Sequence, residues 1–144
     1  MSITSTTTGR ADRETGRTHS AGKNRTLWAA QVLLAAVFAF AAMPKLAGAH
    51  SAVAMFGQIG AGQWLRYLVG TAELAGAVGL LIPRLAGLAA AGLAADMAGA
   101  SIINIAVLHS AAVALTIPLC AALALLARAR WEHTTKFLAA RTGR

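Results

Sequence analysis

Residues 27–43 read LWAAQVLLAAVFAFAAM, a run in which Gln31 is the only polar side chain. A helix needs about 20 mainly apolar residues to cross a bilayer, and Leu46 to Ala49, just past Pro44-Lys45, supply the remainder. In hydrocarbon every backbone N–H and C=O must be satisfied within the protein, so such a segment is helical or it is not in lipid. A secretory leader is the rival, because a basic segment, an apolar run and the small residues Ala47-Gly48-Ala49 imitate a cleavage site. Lys45 lies too close to that cut and the leader is long, so the run is read as a first span.

The pattern repeats. Leu65 to Ile82 forms a second span, interrupted by Glu73 and ended by Pro83-Arg84. Leu85 to Val107, rich in Ala and Gly, forms a third and holds Asp96 and Asn104; Ala111 to Ala127 forms a fourth and holds Thr116, Pro118 and Cys120. Between the first two spans, Val53, Phe56 and Ile59 recur at threefold spacing, which suits a short helix lying at the interface. Trp28, Trp64, Tyr67 and Trp131 mark headgroup levels. With 57% hydrophobic and 12% charged residues, a chain this short has too little polar surface for a water-soluble domain.

The net charge of +8 sits mostly in the two ends rather than on a patterned face, which argues against nucleic acid and for anionic lipid as the counterpart. Eleven Lys and Arg fall in the segments before the first span, between the second and third and after the fourth, against only Lys45 and Arg66 on the other side. Basic residues stay cytoplasmic, so both termini are expected there, with the protein multi-pass in the cell's inner (plasma) membrane. Short connections make neighbouring spans antiparallel. The expected fold is therefore all-α, a polytopic four-helix up-down-up-down membrane bundle over residues 27–127. Residues 1–26 are expected to be a disordered basic cytoplasmic tail, and 128–144 a second basic tail with an amphipathic turn or two around Phe137 and Leu138.

An ionised carboxylate in hydrocarbon costs about 2.5 to 3.5 kcal/mol even on the lenient insertion scale, so Glu73 and Asp96 demand a reason. Lys45 ends the first span at the outer surface, two turns from Glu73, which suggests an ion pair; Arg66, seven residues before Glu73 and on nearly the same helical face, offers a second cation. Asp96 lies near mid-membrane, with Asn104 outward of it and His109 at that end. These groups can line one polar cleft opening outward, or they can lock helices together, and both readings stand at this point. The glycines of the middle spans are read as packing residues. His50 and His109 show no metal-ligand spacing, so no metal is assigned. Cys120 is alone, which excludes an internal disulfide, a CxxC pair or a Cys-based cluster within this chain, and no phosphate loop, dinucleotide fingerprint, nucleophile elbow or HExxH occurs.

Lys45-Leu46 after the first span, Phe56-Gly57-Gln58-Ile59-Gly60 leading to Trp64, Gly70-Thr71-Ala72-Glu73-Leu74, Ile82-Pro83-Arg84 and Gly99-Ala100 together resemble the DoxX-like family. These are small four-helix bacterial membrane proteins related to DoxX and to the DoxD subunit of thiosulfate:quinone oxidoreductase. The resemblance covers Trp28 to Arg130; family members usually carry Gly ahead of the Lys, where this chain has Pro44. It implies an integral membrane component of a redox assembly linked to quinones or sulfur, working with a redox partner subunit or as a homo-oligomer. On that reading Glu73 and Lys45 are the catalytic pair, and Arg66, Asp96, Asn104 and His109 bind substrate. The chain itself carries no cofactor, and a quinone is the bound molecule to expect. Two other readings remain: a structural or assembly protein without catalysis, and a small proton-coupled transporter.

Overall fold

The computed structural model describes the backbone of residues 8–142, with the side chains of residues 24–132 and of Thr134, Thr135 and Ala139. It is all-α among these residues: α1 (Thr8–Ala47), α2 (His50–Ile59), α3 (Gln63–Leu81), α4 (Ala86–Ala106) and α5 (Val113–Thr142). The chain divides into two compact units, residues 1–30 and 31–144, and all the packing described below lies within the second.

Among the described residues, three stretches are long and apolar enough to cross a membrane: Asn24–Ala47, Ala86–Ala106 and Val113–Glu132. α3 falls outside this set because any membrane-length window of its 19 residues takes in both Arg66 and Glu73. Leu33, Phe40, Ile102, Leu115 and Leu125 are each more than 60% exposed, an arrangement that water would penalise and lipid would not.

Two helices run further than their apolar stretches. α1 begins at Thr8 and so takes in residues 8–26, and α5 continues to Thr142. The physical reason is shared. Extending an existing helix costs far less than nucleating one, so even a segment as rich in Gly and Thr as residues 8–26 can prolong an apolar helix. Residues 1–7 and the side chains of Phe137 and Leu138 lie outside the described residues. The expected short helix is present as α2, but its inward face is Ala52, Met55, Phe56 and Ile59, leaving Val53 outside. Helical period, with neighbours three and four apart, accounts for the difference.

Neighbouring helices run antiparallel. Gly76 of α3 lies against Leu93 of α4 and Gly79 against Ala89. Ser101 Oγ of α4 donates to Thr116 Oγ1 of α5 at 2.7 Å, Cys120 Sγ donates to the Ala94 carbonyl at 3.4 Å, and Gly87 lies against Arg130 and Thr134. α1 meets α3 at Lys45 with Glu73, at Leu46 with Gly70, and through Gln31, whose Nε2 donates to the Leu80 carbonyl at 2.7 Å. That carbonyl belongs to the last turn of α3, where acceptors have no partner within the helix. Arg130 Nε donates to Gln31 Oε1 at 3.0 Å, so one fully buried amide joins three helices.

The helix seam between α3 and α4 exists because Gly79 has no side chain. A Cβ there would stand 2.8 Å from the Ala89 Cβ, whereas one at Gly92 would meet nothing within 4 Å. Gly79→Leu should therefore lower stability by about 1–3 kcal/mol, read as thermal unfolding in mild detergent, while Gly92→Leu leaves the transition in place. Equal melting of both variants would refute the packing assignment.

Candidate functional site

Pro44 removes one helical hydrogen bond near the end of α1, yet the helix continues through it to Ala47. Gly48 then takes φ +72°, and the Ala49 N–H donates back to the Pro44 carbonyl at 2.9 Å, the closure of a left-handed helix stop. This places Lys45 in the last turn of α1, facing α3.

Three residues on one face of α3 receive it. Gly70 lets the backbones approach, since a Cβ there would lie 3.1 Å from both Lys45 and Leu46 side chains. One turn further, Glu73 takes the ammonium: Lys45 Nζ donates to Oε1 at 2.9 Å and to Oε2 at 2.7 Å, and its third proton goes to the Ala41 carbonyl at 3.1 Å. One turn before Gly70, Arg66 Nη1 donates to the backbone carbonyl of Lys45, while its Nε donates to Gln63 Oε1 at 2.8 Å and its guanidinium lies over the Tyr67 ring. A guanidinium at a helix C-terminus satisfies orphan carbonyls and opposes the negative end of the dipole. Lys45 is thus held by its side chain and by its main chain from two points of α3.

Beside this pair lies a cavity of about 530 Å³. Its walls are mostly apolar, among them Phe38 of α1, Phe56 of α2, Val69 of α3, Met97 and Ile103 of α4 and Leu119 of α5; its polar members are Lys45, Glu73, Asp96, Asn104 and Thr116. It occupies the half of the protein that holds the end of α1, α2, the start of α3, the end of α4 and the start of α5. Asp96 contributes a buried Oδ2 with no hydrogen-bond partner.

Of the six candidate residues, the structure brings Lys45, Glu73, Asp96 and Asn104 to the cavity. Arg66 is buried behind it at the end of α1, acting on Lys45's carbonyl and not as the second cation anticipated for Glu73. His109 is exposed on the α4–α5 turn with φ +46°, and it is not part of the lining. Sequence reasoning did not anticipate the Gln31–Leu80–Arg130 lock. Its signal was present all the same, as one amide in an otherwise apolar run. Among the described residues no group of three His, Cys, Asp or Glu is placed to hold a metal ion.

Chemically, the ammonium is saturated: its three protons meet three acceptors, and each Glu73 oxygen accepts one of them. Removing one partner strands a buried charge, a loss of about 3–5 kcal/mol, whereas replacing both by apolar residues is close to neutral. Lys45→Met and Glu73→Leu should each lower the melting temperature markedly, and the double variant should recover most of the loss. A double variant as unstable as the singles would show that the pair is not the unit of stability.

The model of the DoxX-like family fits residues 29–129, a stretch that includes the Lys45–Glu73 pair and all the cavity-lining residues. No curated protein and no solved structure matches the chain.

Proposed function

The chain belongs to the DoxX-like family, and from that premise we propose that it is a small subunit of a membrane redox assembly whose cavity binds a quinone or a small sulfur species. The cavity is the observation that carries this reading. Its volume of about 530 Å³ lies in the range of small-molecule sites, and a mostly apolar wall with a few convergent polar groups is their usual composition. The apolar part suits a ring or a sulfur chain, and Lys45 with Glu73 manages charge or a proton at its edge. Electrons pass to or from a partner subunit or a second copy of the chain. Nothing nucleic-acid-like is needed as a partner.

The same proposal includes four crossings, with α3 as the fourth spanning helix and both termini cytoplasmic in the plasma membrane. Antiparallel contacts between α1 and α3, α3 and α4, and α4 and α5 support it, as does the eleven-to-two distribution of basic residues. α3 tolerates its two charges because Arg66 and Glu73 are 4% and 2% exposed and turned inward onto Lys45. A maleimide too polar to enter cells should label Ser110→Cys in intact cells and spare Ser20→Cys until the membrane is opened. Labelling of both from outside would overturn the topology.

A second reading, an assembly protein without catalysis, is favoured by the saturation of the ion pair, which looks like a fastener. Protein purified in mild detergent separates the two. On the redox reading it retains a quinone or sulfur compound, detected by mass spectrometry, and both Glu73→Gln and the cavity-filling Ala100→Phe release it. Retention unaffected by Ala100→Phe would exclude the cavity as the site.

A further inference from the structure

The wall of that cavity is not the only one Asp96 borders. A second hollow of about 320 Å³ lies between α3 and α4 on the other side of that residue, and Asp96 borders both. The α4 residues bordering one hollow or the other include 88, 92, 96, 99 and 103, each three or four after the last, and those of α3 include 79, 76, 72, 69 and 65. Steps of three and four keep to one helical face. The two hollows are therefore successive lengths of one seam, wide and partly polar in one half, narrow and lined by Ala, Gly and Leu in the other.

The narrow half has a defined shape. Gly76 and Gly79 are in tight contact with Leu93 and Ala89, which closes its floor, while Gly92 faces open space. From Leu85 to Asp96 the helix rises about 17 Å. The wide half has a defined demand: Oδ2 of Asp96 is buried without a partner at the junction, and a buried acceptor left unsatisfied costs free energy until a donor meets it. The Lys45 ammonium, committed to Glu73 and the Ala41 carbonyl, has no proton left for it.

We propose that cavity and groove form a single site for a single-chain amphiphile with a hydroxyl-bearing head. The head lies in the cavity and donates a hydrogen bond to Asp96, and the hydrocarbon chain lies along the α3–α4 seam over Gly92. This deepens the redox reading, on which it rests for one of its two sources: a quinol with an isoprenoid tail has this chemistry, and so does a monoacylglycerol from the bilayer. It also assigns Asp96, and not the self-satisfied Glu73, as the residue that touches the head.

Binding of three probes to the full chain in detergent tests the assignment: a quinol with a single isoprene unit, a long-chain quinol, and a long-chain monoacylglycerol. Unmodified protein should prefer the long-chain quinol to the short one. Gly92→Leu should weaken the long-chain probe about tenfold, the loss of roughly two buried methylenes, and leave the short quinol within about twofold. Asp96→Leu should weaken long and short alike, and Asp96→Asn, which keeps an acceptor, should restore most of the affinity. Monoacylglycerol binding with the same Gly92 dependence, and no quinol binding, would keep the site and remove the quinone form of the redox reading. Short quinol bound without any gain from the longer tail would keep the redox reading and overturn the groove. Equal weakening of all three probes by Gly92→Leu would overturn it as well.

Discussion

Lys45 on Glu73 is the contact from which the arrangement around it follows. A lysine and a glutamate brought into an apolar helix packing are each expensive, and together they are tolerable only at short distance with every proton and lone pair engaged. That requirement sets the geometry. Gly70 must be bare so that α1 can come close, Gly48 must reverse the chain so that α1 stops there, and Arg66 must reach the carbonyl that the stop leaves unpaired. The result fixes the end of α1 against the start of α3 and so shapes one wall of the cavity.

The opposite end is fastened differently. Gln31, Leu80 and Arg130 use a neutral amide, a main-chain carbonyl and one guanidinium nitrogen, with Thr134 and Gly87 closing α5 onto α4 nearby. Polar groups hold both ends of the helix set, and apolar packing fills what lies between: Phe38, Leu80, Leu93 and Leu123 are all nearly or fully buried. Such a division is what lipid imposes. With no hydrophobic drive between helices, close contact at small residues and a few hydrogen bonds must do the associating.

Much of this was legible in the residues. The apolar runs gave the helices, Pro83 after Ile82 gave the α3–α4 turn, and the cost of a carboxylate in hydrocarbon pointed to Lys45 as the partner of Glu73. The spacing of Gly70 and Glu73 acquires a physical meaning only in three dimensions, as bare surface followed one turn later by an acceptor. What could not be read was the role of groups whose partners are main-chain atoms. Arg66 was assigned to the nearest carboxylate in sequence because carbonyls at a helix end do not appear as a residue type. Gln31 was passed over for the same reason. The extension of α1 and α5 beyond their apolar runs was hidden too, since composition reports whether a segment can fold alone and not whether it can prolong a helix already formed.

Glycine illustrates how the same residue type serves opposite ends along one seam. At Gly76, Gly79 and Gly87 its lack of a side chain is used up by a neighbour; at Gly92 and Gly99 no atom takes the space. Sequence pattern treats all five alike, as small residues that let helices approach. The open ones fall on the face of α4 that carries Asp96, and Asp96 is where a buried oxygen lacks a donor. Two kinds of deficit, one of volume and one of hydrogen bonding, thus coincide on a single stretch of helix, while the ion pair beside it shows neither. A molecule that fills the first and supplies the second would complete the packing at Asp96 and Gly92, with Lys45 and Glu73 as the frame that holds its site open.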